Sequence, residues 1–354
     1  MSWHIYTNTK NAEMQHIQKK WLETHPPWRK PKYGGGDLEK IPKIDPHPDE
    51  ERAKNFEVPP IENGTTDNDV QATIDKINAA LLLRRPILIT GKPGIGKSTL
   101  AYSLAYCLGL GKTIVWPINS KTELRDGLYH YDALDHLQYI QEQQKNIHKD
   151  SDNEEGDNRR NLSIDNFITL GPLGTVFYHW ERPMVLLIDE IDKASYDLPN
   201  DLLHILEEGT FDIPELRRRR TQNDKDSMKV ETQVWDEKKK SVKVPIKNGR
   251  VQMYHHPIIV MTSNGERTFP DAFLRRCIEI KITTNVDIQK NLIKKYFPKA
   301  KKELLDLFTN INLEKVPNDV VLQALHLCRE RNDLTKECFQ EQLDLLFQGR
   351  NSSQ

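Results

Sequence analysis

The chain has 354 residues, a formal net charge of −1, and 37% hydrophobic against 29% charged residues. This length predicts about two domains, and the balanced charge argues against a protein that is basic overall and binds nucleic acid. The four cysteines show no Cys-x-x-Cys spacing, so we expect reduced thiols without structural zinc. No apolar run approaches the ~20 residues of a membrane span, and the polar N-terminus is unlike a signal peptide. We therefore expect a soluble, cytoplasmic protein with no membrane partner.

Residues 1–60 are polar and rich in proline, which predicts an extended arm. A helix is predicted over residues 11–23. Trp3, Trp21 and Trp28 are candidate anchors of the arm. We expect them to pack on their own or a neighbouring subunit, with docking on a partner as the alternative.

The pattern then alternates between apolar strands and helices over residues 61–284, and turns helical over residues 285–354. Near-continuous apolar strands separated by helices predict an α/β domain with a parallel sheet covered on both faces. The second segment predicts a small helical domain. The five predicted strands are residues 86–90, 114–118, 184–189, 258–262 and 277–282.

A glycine-rich motif of the form G-x-x-x-x-G-K-[ST] follows the first predicted strand and precedes a helix. Its residues are Gly91, Lys92, Pro93, Gly94, Ile95, Gly96, Lys97 and Ser98, followed by Thr99. The glycines allow backbone N–H groups to turn inward, and the helix dipole adds partial positive charge. Lys97 is then placed to reach the β- and γ-phosphates, and the Ser98 hydroxyl to ligate Mg²⁺. The motif predicts binding of a nucleoside triphosphate with Mg²⁺.

Polar side chains end two of the other predicted strands. The third strand ends in Asp189 and Glu190, at the edge where α/β sheets bind ligands. We expect Asp189 to hold the Mg²⁺ shell and Glu190 to orient and polarise the attacking water. Asn264 follows the fourth strand and could help to position that water; the alternative is an ordinary turn residue.

Two adjacent arginines, Arg275 and Arg276, precede the fifth predicted strand, where they would project from the edge of the subunit. Charge that develops on the γ-phosphoryl group favours a guanidinium supplied in trans, an effect of ~10³–10⁵ in rate. The alternative is a solvated surface.

In this order and spacing, the phosphate loop, Asp189-Glu190, Asn264 and Arg275-Arg276 resemble the motifs of an AAA+ ATPase, over residues 70–345. Within that class the chain resembles the MoxR-like group of the helix-2-insert clade, which also includes McrB-type GTPases, midasin and dynein. The similar segments are Gly171-Pro172-Leu173-Gly174, Asp189-Glu190-Ile191-Asp192-Lys193, Leu202-Leu203-His204-Ile205-Leu206-Glu207-Glu208-Gly209 and Pro270-Asp271-Ala272-Phe273-Leu274-Arg275-Arg276. The resemblance implies a P-loop αβα sandwich with a five-stranded parallel sheet, followed by a C-terminal helical lid.

The resemblance also assigns segments and roles. It places a helix-2 insert at about residues 123–170 and a pre-sensor-1 hairpin at about residues 209–257. It makes Arg276 the better arginine-finger candidate, and Asn119 the residue that can hold the catalytic glutamate inactive. It implies ATP as the nucleotide and a ring, expected to be a hexamer. The sensor-2 arginine of the family has no counterpart at residues 316–320.

Two polar stretches interrupt the core. Residues 141–161 predict a mobile loop tip. Residues 217–250 form a strand-like hairpin with the basic runs 217–220 and 238–240, which could contact nucleic-acid phosphates. The alternative is a solvated loop, its charge balanced by Asp224, Asp226, Glu231, Asp236 and Glu237.

Three function classes remain open. The first is a ring ATPase that remodels or activates a separately encoded protein partner, as MoxR-like ATPases do. The second is a nucleic-acid translocase or a defence motor of McrB type. The third is a nucleotide-driven switch that assembles or releases an effector. No nuclease, protease, deaminase or methyltransferase pattern occurs elsewhere in the chain.

Overall fold

A computed structural model gives the fold for most of residues 4–347. The described residues are 4–7, 21–29, 38–44, 47–54, 56–61, 67–147, 163–218, 228–282, 316, 318–331 and 335–347. Of the predicted arm helix, residues 21–23 are described, and they are helical. Trp3 and residues 285–315 of the predicted helical domain lie outside the described residues.

Strands and helices alternate through the middle of the chain. The strands of the described residues are β1 (Ile87–Thr90), β2 (Ile114–Pro117), β3 (Tyr129–Tyr131), β4 (Ile168–Leu170), β5 (Val185–Asp189), β6 (Thr210–Asp212), β7 (Met228–Trp235), β8 (Ser241–Ile246), β9 (Arg250–Gln252), β10 (Ile258–Ser263) and β11 (Ile278–Lys281). Their helices are α1 (Glu50–Lys54), α2 (Asp67–Leu83), α3 (Thr99–Cys107), α4 (Leu124–Leu128), α5 (Ala133–Ile147), α6 (Pro172–Phe177), α7 (Leu198–Glu208), α8 (Pro214–Arg217), α9 (Asp271–Leu274), α10 (Asn318–Glu330) and α11 (Lys336–Phe347).

Five parallel strands form the central sheet, in the order β11-β1-β10-β5-β2. Each begins and ends within one residue of its predicted position, which confirms the predicted α/β fold with a five-stranded parallel sheet. Strands β1, β10 and β5 are neighbours, so the residues that follow them meet at one edge of the sheet.

Alternate residues of the strands pack into two cores, one on each face of the sheet. Ile87 and Ile89 of β1 pack with the apolar side chains of α2 and α3. Leu88 points to the other face and packs with those of α6 and α7. Because both faces are covered by helices, the three central strands β1, β10 and β5 are apolar over most of their length.

Two insertions leave the central sheet. One contains α4, β3, α5 and β4; the other contains β6 to β9, in which β7 and β8 form an antiparallel hairpin. Strands β3, β4, β7 and β8 join the insertions into one four-stranded sheet. The prediction of a loop from residue 141 was wrong for its first part, because α5 continues to Ile147. Residues 148–162 lie outside the described residues.

The N-terminal arm packs on the helical layer formed by α2 and α3. The backbone N–H groups of Ile5 and Tyr6 donate to the Asn78 side chain, and the Tyr6 hydroxyl lies 2.7 Å from Ser103 Oγ. Trp21 is buried and donates its indole N–H to the carbonyl of residue 81 at 2.9 Å. Trp28 is 71% exposed, so within this chain only Trp21 of the two described tryptophans of the arm is buried.

Helices α10 and α11 pack together near the C-terminus through a small core of their own. Among the described residues, no helix combines the length and the apolar character that crossing a membrane requires.

Candidate nucleotide-binding site

The phosphate loop lies between β1 and α3, and three of its glycines occupy positions where a side chain would be strained or would clash. Gly94 and Gly96 have φ angles of +75° and +91°, where side chains are disfavoured. A Cβ on Gly91 would lie 2.5 Å from the Ile95 side chain and 2.6 Å from the carbonyl oxygen of Ile282. The rest of the loop is anchored by Ile95, which is buried in the core.

Lys97 is the centre of the site and is only 8% exposed. Its Nζ donates to the carbonyl oxygens of Gly91 and Lys92 at 2.8 Å and to Asn264 Oδ1 at 2.7 Å. Burial lowers the pKa of Lys97, while the carboxylates of residues 189, 190 and 192 act in the opposite direction and favour the ammonium form. The structure therefore brings Lys97 and Asn264 together, as the adjacent strand ends predict.

Ser98 and Asp189 meet beside Lys97. Ser98 Oγ donates to Asp189 Oδ1 at 2.8 Å, and Thr262 Oγ1 donates to the same oxygen at 2.7 Å. The Thr262 hydroxyl in turn accepts the backbone N–H of Glu190 at 2.9 Å. A single threonine of β10 thus holds both Asp189, which ends β5, and Glu190, which follows it.

Glu190 has a left-handed backbone, with φ 61° and ψ 49°. Such a conformation is unfavourable for a residue with a side chain, and it persists where the surrounding structure enforces it. The Glu190 side chain is half-exposed and pairs with Lys193, whose Nζ lies 2.6 Å from Oε2. The turn therefore directs the Glu190 carboxylate away from the core.

Asp192 is a buried carboxylate that holds the segment containing Asn264. Its Oδ2 accepts the backbone N–H of Asn264 at 2.8 Å and that of Glu266 at 3.3 Å. Its Oδ1 has no hydrogen-bond partner among the described residues. Sequence reasoning assigned no role to Thr262 or Asp192. Both could have been found from the sequence. Thr262 is one of the polar residues that end an otherwise apolar β10, and Asp192 lies two residues after Glu190.

Among the described residues, no hydrogen bond links Lys97 to the remaining predicted residues, Asn119, Arg275 and Arg276. Asn119 is exposed, and its Oδ1 accepts the backbone N–H of Lys121 at 2.8 Å. Arg275 and Arg276 follow α9 and are exposed near the amino ends of the strands, the edge opposite to the phosphate loop. Arg276 Nε lies 2.6 Å from Glu207 Oε1.

The residues of this edge fit a nucleoside triphosphate with Mg²⁺. A buried amine, a hydroxyl and a carboxylate lie next to a glycine loop that precedes the nine-residue helix α3. Hydroxyl and carboxylate oxygens are the protein ligands that Mg²⁺ prefers. An amine and the backbone N–H groups at a helix start are the donors that phosphates require.

Comparison with known proteins gives one family match. Residues 86–277, more than half of the chain, match the family model of the AAA domain of the dynein-related subfamily. No curated protein sequence matches the chain.

Similar solved structures include PCH-2 of C. elegans and the RuvB Holliday junction branch migration motor of Thermotoga maritima. PCH-2 is 14% identical, with a TM-score of 0.40 over 90% of this chain and 77% of that chain. The RuvB motor is 13% identical, with a TM-score of 0.37 over 79% of this chain and 69% of that chain.

Proposed function

Because the chain belongs to the dynein-related subfamily of AAA domains, we propose that it is a Mg²⁺-dependent ATPase that acts as a ring, expected to be a hexamer. In this proposal it is MoxR-like and remodels or activates a separately encoded protein partner. The observation that carries the ATPase activity is the convergence of Lys97, Asn264, Ser98 and Asp189 at one edge of the sheet.

Each residue of this site has a defined task. The Lys97 ammonium would bind the β- and γ-phosphates, and Asn264 orients that amine through its Oδ1. Ser98 Oγ and the Asp189 carboxylate would hold Mg²⁺, which when bound neutralises phosphate charge. Glu190 would orient a water molecule and accept its proton at the carboxylate, at the point where the left-handed turn aims that group outward.

The two arginines cannot complete the site of their own subunit, since they lie at the opposite edge of the sheet. We assign Arg276, with Arg275 beside it, to the nucleotide of a neighbouring subunit. Both side chains are exposed, as a residue that reaches across a subunit interface requires. We assign control of Glu190 to Asn119, whose carboxamide oxygen accepts a hydrogen bond within its own loop.

Nucleotide binding tests the phosphate loop. Lys97→Ala should abolish binding of ATP in a fluorescence titration, because the buried ammonium is the charged donor of the loop. Lys92→Ala is the matched control, since Lys92 is exposed in the same loop and contributes its backbone carbonyl. Retained ATP affinity in Lys97→Ala would overturn the assignment.

Mixed subunits test the ring. Arg276→Ala and Lys97→Ala chains should each be inactive alone and should regain part of the ATPase activity when mixed. Recovery is expected because Lys97→Ala chains still offer Arg276 to a neighbour that binds ATP. No recovery at any ratio would argue against a site shared between subunits.

A second candidate function, nucleic-acid binding, is favoured by the tip of the β7–β8 hairpin. Lys238, Lys239 and Lys240 are exposed there, and Trp235 is 49% exposed beside them. Within the described residues none of these lysines forms an ion pair, whereas Arg217 and Arg250 at the base both pair with Asp212. Lysines next to an exposed aromatic ring suit a single-stranded nucleic acid.

Salt-dependent binding separates the two functions. If the tip binds nucleic acid, a labelled single strand should bind in an anisotropy assay, and raised salt or the triple change of residues 238–240 to alanine should release it. A protein that co-purifies with a nucleotide-trapped Glu190→Gln ring, and is stable to nuclease, would support partner remodelling instead.

A further inference from the structure

A pocket at the amino ends of β1 and β10 combines Arg276 with charged residues that have no role in the proposed site. Arg29, Arg84, Arg276, Glu207 and His256 supply its polar lining. Its open space of about 370 Å³ includes the mouth that joins solvent, so the pocket is a partly open site and not an enclosed cavity.

Positive charge dominates this pocket. Three guanidinium groups face one carboxylate, and that carboxylate, Glu207, pairs with Arg276 at 2.6 Å. Arg84 donates Nη2 to the backbone carbonyls of residues 21 and 24, and its Nε has no partner among the described residues. His256 adds no charge near neutral pH, because burial lowers its pKa to about 4. Burial likewise lowers the pKa of Arg29 and of Arg84, as expected for cations without enough counter-charge.

The N-terminal arm builds one wall of the pocket. Arg29 ends the short 3₁₀ helix Pro27–Arg29, and its carbonyl oxygen lies 3.1 Å from His256 Nε2. The Arg84 guanidinium lies over the ring of Trp21 in the same arm, with its Cζ 4.0 Å from the ring centroid. The Arg84 guanidinium and the Arg29 backbone are thus held in place by named contacts.

We propose that this pocket binds a phosphate group, with Arg29 of the arm and Arg276 as its charged partners. Guanidinium groups match phosphate oxygens in charge and geometry. The phosphate could be free inorganic phosphate or the γ-phosphate of a nucleotide held by an adjacent subunit. The second source rests on the ring proposed above, whereas the first does not. In either case the arm acquires a binding role.

The first arm of the test uses inorganic phosphate on the full chain with Lys97→Ala, which removes the buried ammonium of the phosphate loop. If the source is free phosphate, it should bind this variant in calorimetry, and adding Arg29→Ala should weaken binding at least about tenfold. Arg29→Lys should restore part of the affinity. Arg125→Ala, an exposed arginine of the first insertion, is the matched control. The unfolding midpoint of each variant checks that it is folded.

The second arm measures ATP hydrolysis. If the source is a neighbour's nucleotide, Lys97→Ala chains should not bind phosphate, and Arg29→Ala alone should lower kcat at least about tenfold with little change in KM. Mixing Arg29→Ala with Lys97→Ala chains should then restore activity. The pocket proposal is overturned if Arg29→Ala changes neither phosphate binding nor kcat. If Arg276→Ala abolishes activity and Arg29→Ala does not, Arg276 remains the arginine that acts on a neighbour's nucleotide, and the role of Arg29 is rejected.

Discussion

The left-handed backbone of Glu190 predicts that replacing this residue by glycine stabilises the fold relative to alanine, although the loss of its carboxylate stops ATP hydrolysis. For a residue with a Cβ this conformation costs about 1–2 kcal/mol, and glycine avoids that cost. Glycine also gains freedom in the unfolded chain, which costs about 0.5–1 kcal/mol. Glu190→Gly should therefore raise the free energy of unfolding by about 0.5–1 kcal/mol relative to Glu190→Ala.

The comparison isolates the backbone because both variants remove the same carboxylate and the same pair with Lys193. Urea-induced unfolding of the two variants, without nucleotide, measures the difference. Both should bind ATP and fail to hydrolyse it. An alanine variant as stable as the glycine variant, or more stable, would refute the argument that this turn is strained.

Three further predictions concern the loop, the arm and pH. Gly91→Ala should weaken ATP binding and cost about 1–3 kcal/mol in stability, since the new methyl would overlap the Ile282 carbonyl; unchanged binding and unfolding curves would contradict this. Trp21→Phe removes an indole hydrogen bond of 2.9 Å and should lower the free energy of unfolding by about 1–2 kcal/mol, whereas no change would mean that the arm adds no stability. Burial first, then nearby positive groups, lowers the pKa of His255 and of His256 to about 4, against 6.5 ordinarily. The unfolded chain therefore binds more protons between these values, and stability should fall as pH falls from 6.5 to 4; a flat pH profile in urea unfolding would contradict this.

Much of the nucleotide site was predictable because its chemistry is local in sequence. A strand, a glycine loop and a helix start are contiguous, so Gly91 to Thr99 could be recognised together. Asp189 and Asn264 required one further step, that parallel strands end at a common edge of the sheet. That step holds because both strands are buried and continuous.

What the sequence did not reveal depends on contacts between distant residues. The Asn78 side-chain oxygen accepts hydrogen bonds from the backbone N–H groups of residues 5 and 6. These residues are more than seventy positions apart in sequence, so no local sequence pattern predicts the contact. The cationic pocket likewise joins Arg29 to Arg276 through the fold. Helix α5 is different, because Leu134, Leu137 and Ile140 have helical spacing, and the polar residues after them obscured it.

The most direct test of the account is the rate of ATP hydrolysis by Glu190→Gln compared with the native chain, with Mg²⁺ and saturating ATP. The substitution keeps the size of the side chain and removes its charge. We expect unchanged ATP affinity and a turnover lower by at least about a hundredfold, as for loss of a general base. Native turnover in Glu190→Gln would exclude Glu190 as the base and place activation of water at another residue.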